Sequence, residues 1–390
     1  MYLFYVFALI PVFIGLYLHH KNKNISAHEW LCGSIISFIL AGSLHLFAVH
    51  SMTEDIETWS GEIVSARHFP RWHEYYEYAV YRTECTTDSK GYTHCRQVFS
   101  HWQSTSRWHE EYFEAYSNID TYYTISKAKF NYFVDKFKDH RAIKGKRYTF
   151  EHNSRMLSGD PNDYVTYNKT GWVEPITRLV AFSNRIKAAP SVFSFVSVPE
   201  NIPVYEYPPN NNSWSSNRLC GIAQQHFNQF TFDQFNSRLG PTKQVNVIIA
   251  GFADKNSSLA EYQKAKWLGG RKNDICILYG WSTKKNKVIW CKVFGWSESD
   301  ICKKNLETLV LKNTPNNDLL PLLEKEIWKN YKIKDWSKFD YIAIEPRTTH
   351  LVWFFVLTII IQGGLYHYFH MNDVPYHKQY WRKYDSLFSR

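Results

Sequence analysis

Three charge-free apolar runs frame a long polar middle in this chain. Residues 2–18, 30–49 and 351–366 contain no Asp, Glu, Lys or Arg. A helix crosses a bilayer core with about 17–25 mostly apolar residues, so the pattern predicts three transmembrane helices. A buried core helix is the alternative, and it fits poorly with the polar remainder of the chain. Trp353, Tyr366 and Tyr368 supply interfacial anchors to the shortest run. No charge precedes the first run and basic residues follow it, the reverse of a secretory signal.

Between the second and third runs the pattern turns to alternation and short helical stripes. A strand is expected over 57–69, then a hairpin from 75–85 and 95–103. Ser126 caps a helix to Lys138 whose Phe130, Phe133, Val134 and Phe137 form one stripe. A helix over 177–186 and a strand over 191–198 follow. The Pro- and Asn-rich stretch 203–217 marks a boundary. Beyond it come a helix at 221–239, a buried strand at 244–251 and a helix at 258–268. Paired strands at 275–279 and 287–294 and helices at 298–311 and 319–331 complete the order. The expected fold class is α+β. Two transmembrane helices (1–50) lead into a β-rich domain (54–208), an α/β domain (216–335), a third span (351–366) and a basic tail (367–390).

The loop from His19 to Asn24 is basic, and the tail carries Lys378, Arg382, Lys383 and Arg390. Positive residues in short loops stay cytoplasmic. The N-terminus and residues 51–348 are therefore expected outside the cytoplasm, at a cell (inner) membrane. The 390 residues carry a formal charge of +10, but the basic residues are scattered and no nucleic-acid motif appears, so nucleic acid is not an expected partner. A basic surface facing anionic lipid or envelope polymer is the plainer account. The aromatic, Asn- and Lys-rich style suits a bacterial or phage envelope protein.

Cysteine usage changes the picture of the outer region. Cys85 and Cys95 bracket a polar, Gly-containing turn, and Cys276 and Cys291 bracket a second hairpin. Both pairs suit cross-hairpin disulfides on an oxidising side. Cys220 and Cys302 have no assigned partner, and no CxxC or HxxxH spacing supports zinc. The run Arg71-Trp72-His73-Glu74 returns as Arg107-Trp108-His109-Glu110. Two equivalent strands of one antiparallel sheet produce such an echo, and a Trp/His/Glu ligand or metal surface is its functional alternative.

The element order from 216 to 335 resembles the TPM domain, a module of membrane-anchored, extracytoplasmic proteins. The matching residues are the strand Gln244–Gly251, the turn Trp267-Leu268-Gly269-Gly270-Arg271-Lys272-Asn273-Asp274 and the hairpin end Val293-Phe294-Gly295-Trp296. Asp274 stands where the family has Gly. The resemblance implies an α/β sandwich and, where activity accompanies it, metal-assisted phosphatase chemistry on a divalent cation held by loop carboxylates. The candidates are Asp274, Glu298 and Asp300, with Asp233 and Asp254 the remaining acids. Helix capping is the rival reading for Glu298 and Asp300. No nucleophile motif or phosphate loop is present. The leading expectation is a non-enzymatic module that binds a membrane or periplasmic protein partner. Oligomerisation is compatible with it, and a TPM-type hydrolase of an envelope substrate is the alternative.

Overall fold

The computed structural model describes residues 2–22, 27–145, 153–159, 162–193, 195–209, 211–212 and 214–371. Parts of the basic loop (23–26), the turn acid Asp160 and the tail beyond Met371 lie outside the described residues.

The fold is mixed α+β. Helices α1 (Tyr2–Asn22) and α2 (Ala27–Thr53) lead directly into β1 (Glu54–Phe69), and α10 (Thr348–Met371) closes the chain. Ala8, Ala41, Ala48 and Phe354 form their shared core. Among the described residues two helical segments are long and apolar enough to cross a membrane, His28–Thr53 and Thr348–Tyr368. Three were expected, and this is cut back to two: among the described residues α1 contributes only a shorter apolar stretch, Ala8–Tyr17.

The β-rich unit hangs on β1. Its first half pairs with β9 (Pro175–Ser183) and its second half with β4 (Tyr112–Ser117) and β8 (Asn162–Tyr167), all antiparallel. β5 (Tyr122–Thr124) and β6 (His140–Lys144) extend the two edges. Helix α3 (Lys127–Phe137) buries Phe130, Phe133 and Phe137 against this sheet, with Ser126 accepting from Lys129 N as its cap. The helix expected over 177–186 is mostly strand β9, followed by a short turn of helix, α4 (Arg185–Ala188). Its nine-residue ladder with β1 decides the matter. The strand expected at 191–198 is replaced by a 3-10 turn, Pro190–Val192, and residues 195–198 form no regular element.

Strands β2 (Trp72–Thr87) and β3 (Thr93–His109) form a long hairpin, joined by β7 (Ser154–Ser158) only near its base. The hairpin continues the β1–β4 register: Phe69 lies opposite Tyr112, and Trp72 opposite His109. Cys85 and Cys95 lie opposite one another and are bonded.

The second unit is a four-stranded sheet, β10 (Leu219–Gly221), β11 (Asn246–Ala253), β12 (Asp274–Ser282) and β13 (Lys287–Phe294). The first three are parallel and β13 is antiparallel. The helix expected over 221–239 is two pieces, α5 (Ala223–His226) and α6 (Gln229–Lys243), because Asn228 is extended and caps the second. Helices α6, α8 (Asp300–Lys312) and α9 (Leu320–Asn330) cover one face. Helix α7 (Leu259–Lys266) and residues Ile202–Tyr207 cover the other. Burial on both faces explains why Asn246–Ala253 reads as an unbroken apolar run. The 203–217 stretch is therefore no free linker, since its start packs onto the second sheet.

The expected Cys276–Cys291 disulfide is absent; both residues are free thiols. Cys276 lies opposite Phe294, while Cys291 lies opposite Tyr279, three residues further along β12. An odd offset puts the two side chains on opposite faces of the sheet. Cys276 belongs to the α7-side core and Cys291 to the α6/α8/α9-side core.

Candidate functional site

Asp274 opens β12 at the amino ends of the parallel strands, and the turn before it explains its surroundings. Leu268, Gly269 and Gly270 all have positive φ (51°, 80° and 87°). This tight reversal points residues 271–274 back toward β1. Asp274 accepts hydrogen bonds from the Arg271 backbone N (2.7 Å), Tyr207 Oη (2.7 Å) and Asn246 Nδ2 (2.8 Å). Arg271 stacks over the Tyr207 ring at 4.3 Å, donates to the Ile56 carbonyl and lies 3.4 Å from Asp55. Lys272 lies 3.6 Å from Glu57, and Asn273 Nδ2 donates to the Thr58 carbonyl at 2.9 Å. Arg218 Nη1 donates to Ser60 Oγ at 2.7 Å. Three consecutive residues of one unit, Arg271 to Asn273, together with Arg218 thus grip the first half of β1 in the other.

Burial governs the charges in this seam. It pushes the Asp274 and Glu57 carboxyls above the usual range against their neighbouring cations, and it lowers the Arg218 guanidinium to about 10. Arg218 and Asn246 line a small cavity of about 10 Å³, room for one water-sized molecule. Arg218 Nη2 and Asn246 Oδ1 have no partner there.

The other candidate carboxylates are elsewhere. Glu298 pairs with Lys338 (2.5 Å) and Lys332 (2.9 Å), and hydrogen bonds from these lysines hold it at about 2. Asp300 opens α8 at the surface beside Lys303 at 2.7 Å, which lowers it. Ser299 Oγ, not either acid, accepts from Cys302 N as the cap. Asp233 accepts from Ser215, Ser216 and Gln229, and Asp254 accepts from Thr283. The divalent cation implied by the TPM resemblance does not fit this donor set, because each acid faces N–H, O–H or ammonium groups. Among the described residues no three His, Cys, Asp or Glu side chains gather as metal ligands.

At the opposite, carboxyl ends of β10 and β11 lies an open cleft of about 380 Å³, lined by Tyr205, Ile222, Phe252, Gln225 and Lys255. Strand ends of this kind are where α/β sheets take ligands. Tyr205 Oη donates to the Gly251 carbonyl and closes its floor. Gly221 has φ +60°, and a Cβ there would meet Tyr205 Oη at 2.0 Å. No sequence motif marked this cleft.

The Trp-His-Glu echo resolves as strand pairing. Trp72 stacks on His109 (4.3 Å, 8°) and His73 stacks on Trp108 (4.3 Å, 10°), so each copy's Trp covers the other's His. Burial raises the Glu74 carboxyl, but hydrogen bonds from His109 Nε2 (2.7 Å) and Arg107 Nε (2.6 Å) outweigh it and hold it below the usual range. Arg107 occupies the place a metal would need.

Comparison with protein-family models, with curated proteins and with solved structures returned no match.

Proposed function

We propose that this chain is a membrane-anchored binding module without catalytic activity. Helices α2 and α10 span the bilayer, residues 51–348 lie outside the cytoplasm, and the outer body engages a membrane or envelope partner. One observation carries the reading, the inverted polarity of the helices. Phe13, Ile39, Phe47, Trp353 and Ile360 are 63–66 % exposed, whereas Ser34, Ser37 and Gln362 are buried between helices. Gln362 Nε2 donates to the Gly33 carbonyl (2.9 Å) and Ser37 Oγ (3.2 Å). Water favours the opposite arrangement, and lipid favours this one. The buried seam supports a rigid body, Asp274 is engaged in its hydrogen bonds, and Glu298 and Asp300 are paired with lysines elsewhere.

The test is a reporter enzyme active only outside the cytoplasm. Inserted at Lys90 it gives activity, and fused after Arg390 it gives none. Activity from the Arg390 fusion alone sinks the reading.

A TPM-type metal-assisted hydrolase is the second reading, favoured by the strand, helix and hairpin order of the second unit. Calorimetric titration of the full chain with Mg²⁺, Mn²⁺ and Ca²⁺ separates the two. Absence of binding by the folded chain leaves the hydrolase without a mechanism.

A further inference from the structure

Among the described residues β7 pairs with β2 only from Tyr75 to Tyr78, and beyond it the hairpin is two-stranded. It reaches from Ala79 to the turn at Asp88–Tyr92 with nearly every side chain exposed. An isolated two-stranded ribbon is marginal in water, and the disulfide pins only its far end.

Its side chains are sorted by face. Residues directly opposite in an antiparallel ladder share a face, and neighbours along a strand alternate. One face carries His73 with Trp108, Tyr75 with Ser106, Glu77 with Ser104, Ala79 with Trp102, Tyr81 with Phe99, Thr83 with Gln97, and the disulfide. Five exposed aromatic rings, Tyr75, Tyr81, Phe99, Trp102 and Trp108, all lie on it, at 38–58 % exposure. The opposite face carries Arg82, Glu84, Arg96 and His94 toward the tip, with one exposed aromatic ring, Tyr78, nearer the base. From Tyr75 to Cys85 the aromatic face has one charged β2 residue, Glu77. Arg155 neutralises it at 2.5 Å and also covers Trp102 at 4.7 Å.

We infer that this aromatic face is a homodimer surface, on which the hairpins of two copies pack face to face about a two-fold axis. Charge and area name the occupant. A face without unpaired charge meets its own copy without like-charge repulsion, and it offers nothing to a strongly acidic or basic partner. The five rings leave about 450 Å² exposed per copy, so full mutual cover buries at most about 900 Å² from aromatics alone. Ser104, Ser106, Thr83 and Gln97 bring the total to about 1,200 Å², the lower bound of a stable specific interface. Trp and Tyr are also the side chains that dominate such contacts.

This deepens the binding reading above by naming the partner. In detergent micelles, the full chain should show twice its 46.2 kDa protein mass by light scattering. The double variant Phe99→Glu, Trp102→Glu should show the single mass while keeping the Cys85–Cys95 bond. Independently, Ser104→Cys, on the aromatic face, should cross-link copy to copy with a short bis-maleimide at least tenfold faster than Gln103→Cys on the opposite face. A monomeric wild-type chain overturns the pairing. So does equal cross-linking at the two positions, or cross-linking of Ser104→Cys to a different protein in cells. A monomer that still gave the reporter pattern at Lys90 would overturn the pairing and leave the membrane-anchored reading standing.

Discussion

Asp274 is buried and holds three donors in the seam, so its loss is felt through what it leaves behind. Asp274→Ala orphans the Arg271 amide, Tyr207 Oη and Asn246 Nδ2, and should cost about 3–5 kcal/mol in chemical denaturation. Its pH dependence has a definite sign. Burial raises the Asp274 and Glu57 carboxyls, so the folded chain keeps protons that the unfolded chain releases near roughly pH 4. The stability they contribute is greatest in acid and falls as pH rises from there through their folded values. A plot of Tm against pH should therefore slope downward more steeply for the wild type than for Asp274→Ala above pH 4. Parallel curves would remove Asp274 from the account. Glu298, held at about 2, acts in the opposite sense, losing its contribution as pH falls through that value. It is partly exposed and its lysine partners are in solvent, so salt screens it to a small effect. Gly240 marks the tightest contact of α6 with β1: a Cβ would stand 1.9 Å from the Ser60 carbonyl oxygen. Gly240→Ala should cost about 1–3 kcal/mol, read by the same denaturation.

At the scale of elements, the hairpin and the sheets behave differently. The Cys85–Cys95 bond closes a loop of sequence separation 10, worth about 2.5–3 kcal/mol by chain entropy. Because the distal ribbon touches little else, replacing both cysteines by Ser should act locally. Amides from Ala79 to His101 should exchange about 100-fold faster, while amides of β11 and β12 stay unchanged. Uniform acceleration would mean the arm is coupled to the body. Elements with a strict period were legible in the chain: the i, i+3, i+4, i+7 stripe of α3, the apolar run of β11 and the β2–β3 hairpin. The stretch Pro175–Ser183 was not, because its side chains suit either state and only β1 as a neighbour selects the strand. The two cysteine pairs looked alike in sequence, since both bracket a hairpin. Register separated them, placing one pair directly opposite and the other on opposite faces.

The whole molecule is joined through the seam between Arg218, Arg271, Lys272 and Asn273 on one side and residues 55–60 on the other. A boundary at 203–217 implies two units melting separately. The seam implies a single calorimetric transition for the outer body of the full chain, and two resolved transitions would show that the contact transmits no stability. The candidate carboxylates were named by residue type and by position near loops. Their fates diverged because Asp274 faces inward at a strand's amino end, whereas Glu298 and Asp300 sit at the surface with lysines in reach.

What the amino-acid order determined alone was whatever depends on neighbours along the chain. The charge-free runs, the period of α3, the strand alternation and the Cys85–Cys95 turn are of this kind, since each is a local match of side-chain spacing to backbone geometry. The tertiary structure decided what depends on partners far along the chain: the grip of residues 271–273 on β1, the cleft at the carboxyl ends of β10 and β11, and the gathering of five exposed aromatic rings on one face of the hairpin. Those outcomes turn on register and facing, where a shift of one residue reverses which side chain is buried.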